Sequence, residues 1–263
     1  VGIAVHVDDP LTCWDYYSKA KGNRFPTVDM NRSRKLGYVL GVDEFKAEQE
    51  TGADMDLEVS AVWDESKNNI TVTPVVTFRV NRDETPYGFA YVLTEDGMTD
   101  SRWVQNNAYS GSHGDRGVTK EFDEIIDSPG EIRNLKNNFV AIAADGVKSA
   151  LTGHLKVPIK ADETQSHTYV FKNINSKKVI QKKENLRVCV LLINTQTRHV
   201  ENAAKCVISE PKATGISSVS DGTRSEVVVG RYTLDGRRIT TPQRGINIVR
   251  YSDGRVSKEV VTR

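Results

Sequence analysis

From Asp56 the chain adopts a strict two-residue alternation that few folds other than an antiparallel sheet accommodate. Leu57, Val59, Ala61 and Trp63 point one way while Asp56, Glu58, Ser60 and Asp64 point the other. After a Lys67-Asn-Asn69 turn, Ile70, Val72, Val76, Phe78 and Val80 continue against Thr71, Thr73, Thr77 and Arg79. Successive side chains of a strand leave opposite faces, so this pattern predicts two paired strands with one face buried. Tyr87–Thr94, Phe139–Ala144, Leu155–Ile159, Thr168–Phe171, Leu186–Ile193 and Val200–Ile208 add six candidate strands. Eight strands with turn chemistry between most of them predict a mainly β chain built on an antiparallel β-sandwich, here over residues 53–210.

At 263 residues the chain exceeds the usual size of one domain, and its pattern changes on both sides of that region. Residues 1–52 read as α/β material. Val1, Ile3, Val5 and Val7 alternate, and Gly2 and Ala4 between them are small and apolar too, as in a strand covered on both faces. Asp9-Pro10 is expected to open a helix with Leu11, Trp14 and Tyr17 on one side and Gly22 as its stop. Phe25-Pro26-Thr27-Val28 enters a further strand, and a second helix is expected from Asp43 to Thr51. Residues 211–225, rich in Ser, Thr and Gly, read as a linker. In residues 226–263, Asp235-Gly236 and Asp253-Gly254 each separate short β-rich runs, the signature of tight hairpin turns, and predict a small antiparallel meander.

Charge and composition exclude several classes of function. With 36 basic and 35 acidic residues the net charge is +1, which supplies no overall footprint for nucleic acid or an anionic membrane surface. No apolar run has the length of a transmembrane helix. The first residues carry neither a basic region nor a cleavage site, so if the protein is exported its signal sequence is expected upstream of Val1. Cys13, Cys189 and Cys206 cannot close a disulfide framework among themselves. On a hairpin turning at Asn194–Arg198, with Leu192 opposite Val200, Cys189 opposes Ala203 and Cys206 opposes Leu186. The two sulfurs then lie on opposite faces, and free, mostly buried thiols are expected.

The terminal Gly230-Arg-Tyr-Thr-Leu-Asp-Gly-Arg-Arg-Ile239 and Gly245-Ile-Asn-Ile-Val249 resemble the C-terminal sorting modules of proteins exported by Bacteroidetes bacteria through the type IX route. The apolar strand, capped helix and Phe25-Pro26-Thr27 resemble the second half of a thioredoxin fold, a resemblance that implies a cis peptide at Pro26 beside a redox site. The chain holds no Cys-x-x-Cys. Phe89–Gly97, Asn138–Gly146 and Leu186–Val207 resemble the twenty-eight-kilodalton outer-membrane-protein family of Bacteroidetes. These resemblances imply a cell-envelope protein, at the outer membrane or cell surface, and supply no catalytic residues.

The longest connection, Asp96–Asn138, is polar and rich in glycine, and long loops inside compact domains tend to carry function. Its Trp103, Tyr109, His113, Asp115 and Arg116 are the candidate binding residues. Ser110, His113 and Asp115 lie too close in sequence for a triad, which folding normally assembles from distant segments. Glu95, Asp96 and Asp100 offer carboxylates at a loop mouth without the spacing of a calcium loop. His6, His154, His167 and His199 lack zinc spacing. Lys177, Lys178, Lys182 and Lys183 around Val179-Ile180 read as a charged edge that discourages strand aggregation.

No catalytic, metal or cofactor residues are assigned. The expected function is a non-enzymatic envelope or surface protein that meets a protein or glycan through the sandwich loops. Residues 1–52 are further expected either to pack tightly on the sandwich or to pair with another copy along the edge at residues 1–7. Two alternatives stand beside it: a relative of thiol-disulfide oxidoreductases whose Cys-x-x-Cys half lies upstream, and a glycan-binding sandwich with exposed aromatics around Trp103.

Overall fold

The computed structural model describes residues 1–20, 27–36, 42–112, 114, 116–211, 228–234, 236–251 and 256–262. It divides into two units, Val1–Pro211 and Lys212–Arg263. In the first, α1 (Trp14–Ala20) precedes the short hairpin β1 (Val28–Met30) and β2 (Arg34–Leu36) and then α2 (Val42–Glu50). The sheet strands are β3 (Met55–Trp63), β4 (Ile70–Phe78), β5 (Tyr87–Glu95), β8 (Val140–Asp145), β9 (Thr164–Ser166), β10 (Tyr169–Phe171), β11 (Leu186–Asn194) and β12 (Val200–Ser209). Between β5 and β8 lie β6 (Val104–Asn106), α3 (Lys120–Asp127) and β7 (Glu131–Arg133).

The main sheet runs β10-β4-β3-β12-β11-β5-β8, with β9 also on β4. Its neighbours are antiparallel except where β12 joins β3 through Ile208↔Ala61 and Ser209↔Val62. That join lets the sheet fold over itself. Met55, Trp63, Val72 and Phe78 of the β3-β4 half share one core with Phe89, Tyr91, Leu93, Val188, Val190 and Leu192 of the β5-β11 half. The alternation read from Asp56 is therefore a sandwich pattern, with β4 buried at every second residue.

β5 departs from alternation: all nine of its residues are buried. Its second face, Ala90 and Val92, joins Cys189, Leu191 and Ile193 against Ile3, Val5, Cys13 and Tyr16 of the N-terminal segment. Residues 1–20 thus form a third layer. The expected strand Val1–Val7 is reduced to isolated bridges: Ala4 donates to Phe139 O at 2.8 Å and accepts from Ala141 N at 2.9 Å, beside β8. Asp9 does not cap a helix. It forms a tight turn with Leu11 and Thr12, which delays α1 to Trp14 and rotates Trp14 out to 72 % exposure. Pro26 lies outside the described residues.

Three further expectations are corrected. Leu155–Ile159 is not a strand: the Gln165 amide accepts from Lys156 N at 2.7 Å and donates to Lys156 O at 3.1 Å, replacing a ladder partner. The cis peptide among the described residues is Val157–Pro158. In the β11-β12 hairpin a bulge between Leu192 and Ile193 shifts the register, so Ile193 opposes Val200, Cys189 opposes Lys205 and Cys206 opposes Val188. The thiols still occupy opposite faces, Cys189 in the outer cluster and Cys206 against the inner core, and all three cysteines are free. Finally, Lys177–Lys183 is no strand edge. Val179 and Ile180 pack on the core, Lys177 reaches Asp15 at 3.5 Å, and Lys183 donates to Lys67 O at 2.6 Å while lying 5.5 Å from the Trp63 ring.

The second unit is a four-stranded antiparallel sheet of β13 (Val228–Thr233), β14 (Arg238–Ile239), β15 (Gly245–Tyr251) and β16 (Val256–Val261), in the order β14-β13-β15-β16. Gly236 takes φ +85° in the β13-β14 turn, as a tight turn requires. Asp235 and the turn at Asp253-Gly254 lie outside the described residues.

Candidate functional site

A cleft of about 340 Å³ opens where the 6–11 turn faces the start and end of the 96–138 connection. The turn is built by its own side chains. Asp8 sits at φ +58°, a conformation that aspartate tolerates better than most residues. Asp9 Oδ1 accepts from Leu11 N at 2.8 Å, its carbonyl accepts from Thr12 N at 3.1 Å, and its Oδ2 lies 2.6 Å from His6 Nδ1. Tyr17 donates its hydroxyl to Asp8 Oδ1 at 2.9 Å, tying α1 to the rim. Leu11 is buried and anchors the turn in the main core.

The opposite wall is made by Arg102, Trp103, Val104 and Gln105, with Leu135 and Asn137 returning beside them. A turn closes when Trp103 N donates to Asp100 O at 3.0 Å. Arg102 clasps the Asp100 carboxylate with Nε at 2.9 Å and Nη2 at 2.6 Å. These guanidinium bonds, with one from the Arg102 backbone, hold Asp100 down at about 2. Asn137 and Met98 exchange backbone hydrogen bonds of 2.8 and 2.9 Å, closing the base of the excursion over buried Met98. Trp103 is half-buried, with part of its ring on the main core and part lining the cleft.

The expected binding residues are thus divided. Trp103 faces the cleft, but Tyr109 packs edge-on against Phe122 of α3 with centroids 5.2 Å apart. Arg116 pairs with Asp127 at the far end of the same helix. His113 and Asp115 lie outside the described residues. The connection is a folded ribbon-and-helix excursion rather than an open loop. Thr119 caps α3 by accepting from Phe122 N at 3.1 Å, and buried Asn107 donates to Ile125 O at 2.7 Å. Trp14, expected on one side of the first helix with Leu11 and Tyr17, is an exposed ring whose centroid lies 5.0 Å from that of Tyr17 in a tilted pair, whereas Leu11 is buried.

The carboxylates at the loop mouth point apart. Glu95 turns inward to Gln181 N and Lys182 N, Asp96 accepts from Phe139 N at 2.8 Å, and Asp100 serves Arg102. His154 and His167 stack at 3.8 Å, and burial followed by the neighbouring His154 lowers the pKa of His167. Burial raises the Cys13 thiol and pushes Cys189 and Cys206 up to about 11. Thiolate is the reactive form, so burial disfavours it at all three positions.

No family model matches this chain. No curated protein matches it either. Among solved structures it is similar to HBP35 of Porphyromonas gingivalis at 12 % sequence identity, over 84 % of this chain and 68 % of that one, with a TM-score of 0.41.

Proposed function

We propose that this chain is a non-enzymatic protein of the bacterial cell envelope that holds a protein or glycan partner in the cleft between the 6–11 turn and Trp103. The observation that carries the reading is the half-buried Trp103 ring, set in a wall whose polar groups are already fixed by internal bonds. A fixed wall loses little freedom on binding, and tryptophan contributes large contact area for few rotatable bonds. Against catalysis, among the described residues no Ser, Thr or Cys lines the cleft, and the neighbouring Thr12 hydroxyl is engaged by the Asp9 backbone, accepting from its N at 2.9 Å and donating to its O at 2.8 Å. The buried thiols, with their raised pKa values, argue against exchange chemistry. The envelope assignment, and the reading of the terminal meander as a sorting module, rest on the sequence resemblances.

Co-sedimentation of the purified chain with peptidoglycan and with beads carrying lipid-free outer-membrane proteins tests the reading. Wild-type protein is expected to pellet with one of them, and Trp103→Ala to stay in solution while keeping its fold by circular dichroism. Equal pelleting of both proteins would remove the cleft from the proposal.

A further inference from the structure

The near-neutral charge of the whole chain conceals an asymmetry between its units. Lys212–Arg263 holds ten basic and five acidic residues, whereas Val1–Pro211 holds 26 basic and 30 acidic. Strand register shows where part of the excess goes. Directly opposed residues of antiparallel strands share a face, and residues two apart along a strand return to it. Arg238, Tyr232, Ile248 and Lys258 form one row across the four strands. Arg250 with Val256, and Ile246 with Val260, form flanking rows on the same face.

That face is open. Arg238, Arg250 and Lys258 are exposed, and Val256 and Val260 are 62 % and 63 % exposed. Among the described residues none of the three cations is in an ion pair, and Arg238 donates one bond, to Val229 O at 3.3 Å. The acidic residue described in this sheet, Glu259, lies on the other face, where it pairs with Arg231 beside buried Asn247 and Val249. One side of the sheet therefore combines cations with aliphatic and aromatic side chains and carries no described carboxylate.

We infer that this face of the C-terminal sheet docks onto a lipid surface bearing anionic headgroups. The cations meet phosphate oxygens, and Val256, Val260, Ile246 and Tyr232 reach the boundary between headgroups and acyl chains. Charge complementarity favours this occupant: anionic headgroups set phosphate charge directly beside an acyl boundary, matching the cations and exposed valines interleaved on this face. The inference concerns the second unit and does not depend on the cleft reading.

Flotation of the full chain with vesicles of phosphatidylcholine alone and of phosphatidylcholine mixed with phosphatidylglycerol tests it. Binding is expected to the mixed vesicles alone and to fall as salt is raised, because surface charges are screened. Each of Arg238→Ala, Arg250→Ala and Lys258→Ala should weaken binding roughly fivefold, and the triple variant about a hundredfold. Val256→Ser with Val260→Ser should weaken it as well. The salt series uses the wild-type chain, so the test survives a variant that fails to fold. Absent binding to the mixed vesicles, binding indifferent to salt or headgroup charge, an unaffected triple variant, or full competition by inorganic phosphate at constant ionic strength would each overturn the inference. The last result would indicate a discrete phosphate site instead.

Discussion

The Glu95 carboxylate, 1 % exposed at the end of β5, accepts a 2.6 Å hydrogen bond from Lys182 N. Gln181 N adds 3.1 Å contacts to both of its oxygens, and the Gln181 side chain in turn brackets Thr99. The carboxylate thus fastens the 177–183 segment to the foot of the excursion that forms the cleft wall.

Replacing Glu95 with Ala is expected to cost about 3 kcal/mol, because two backbone N–H groups lose their acceptor in a buried place. Glu95→Gln keeps one acceptor oxygen and should cost less. Burial raises the Glu95 pKa above its ordinary 4.5, outweighing the backbone bonds that lower it. A raised carboxyl binds its proton more tightly folded than unfolded, so its contribution is fully present below pH 4.5 and declines as pH rises through the folded value. The stability gap between wild type and Glu95→Gln, measured by urea unfolding across that range, should narrow with rising pH. A gap that widens would contradict the assignment.

Asp64 behaves in the opposite sense. It closes the β3-β4 turn by accepting from Asn68 N at 2.8 Å, Asn69 N at 3.1 Å, Ser66 Oγ at 2.8 Å and Asn69 Nδ2 at 2.7 Å. Partial burial pushes the group up, but these four bonds together bring it down to about 2. Its stabilisation is present above pH 3.8 and is lost as pH falls through about 2. Asp64→Ala should melt lower than wild type at neutral pH, and thermal melts of the two should converge in acid.

Gly146 has φ +72°, and an added Cβ would lie 2.4 Å from Phe89 O and 3.0 Å from the Cα of Ala90. Both obstacles are backbone atoms of a strand buried on both faces. Gly146→Ala is expected to destabilise by at least about 2 kcal/mol from the left-handed backbone and the collision together. Trp14→Ala, at an exposed ring, should stay within about 0.5 kcal/mol of wild type, and the contrast between the two unfolding curves checks both.

The thiols provide a chemical check. With Cys189 and Cys206 pushed up to about 11 and Cys13 raised by burial, native protein should react slowly with an aromatic disulfide reagent at pH 8 and release three equivalents only on unfolding. It should also fail to reduce insulin with dithiothreitol. Rapid labelling of a single native cysteine would show an activated thiol and revive the redox alternative.

What the sequence disclosed followed from local periodicity. The β3-β4 alternation and the turns at Lys67–Asn69 and Asn194 were legible because side-chain direction and turn chemistry act over a few residues. α3 had a signal that went unread: Thr119 as cap, then Phe122, Ile125 and Ile126 at helical spacing, masked by the glycines before it. β6 and β7 are too short at three residues each to show alternation. α1 begins later than its sequence pattern implies because the Asp9 turn consumes residues that the helical pattern had claimed. The cleft was beyond local reading altogether, since His6 and Trp103 meet only through the packing of the N-terminal layer and the excursion.

The join between the two sheet halves also has a mechanical meaning. β12 is the last strand before Pro211, and its terminal Ile208 and Ser209 make the backbone pairing to β3, helped by Asn202 Nδ2 on Met55 O at 2.7 Å. Tension applied to the chain beyond Pro211, as when a tethered C-terminal unit is pulled, enters β12 at this end. The salt link from Lys67 to Glu210 at 2.8 Å and then the Ile208–Ala61 pairing are the first contacts to carry that force. In a single-molecule pull from the C-terminus, the sandwich should yield by parting β12 from β3 while the β5-β11 ladder still holds.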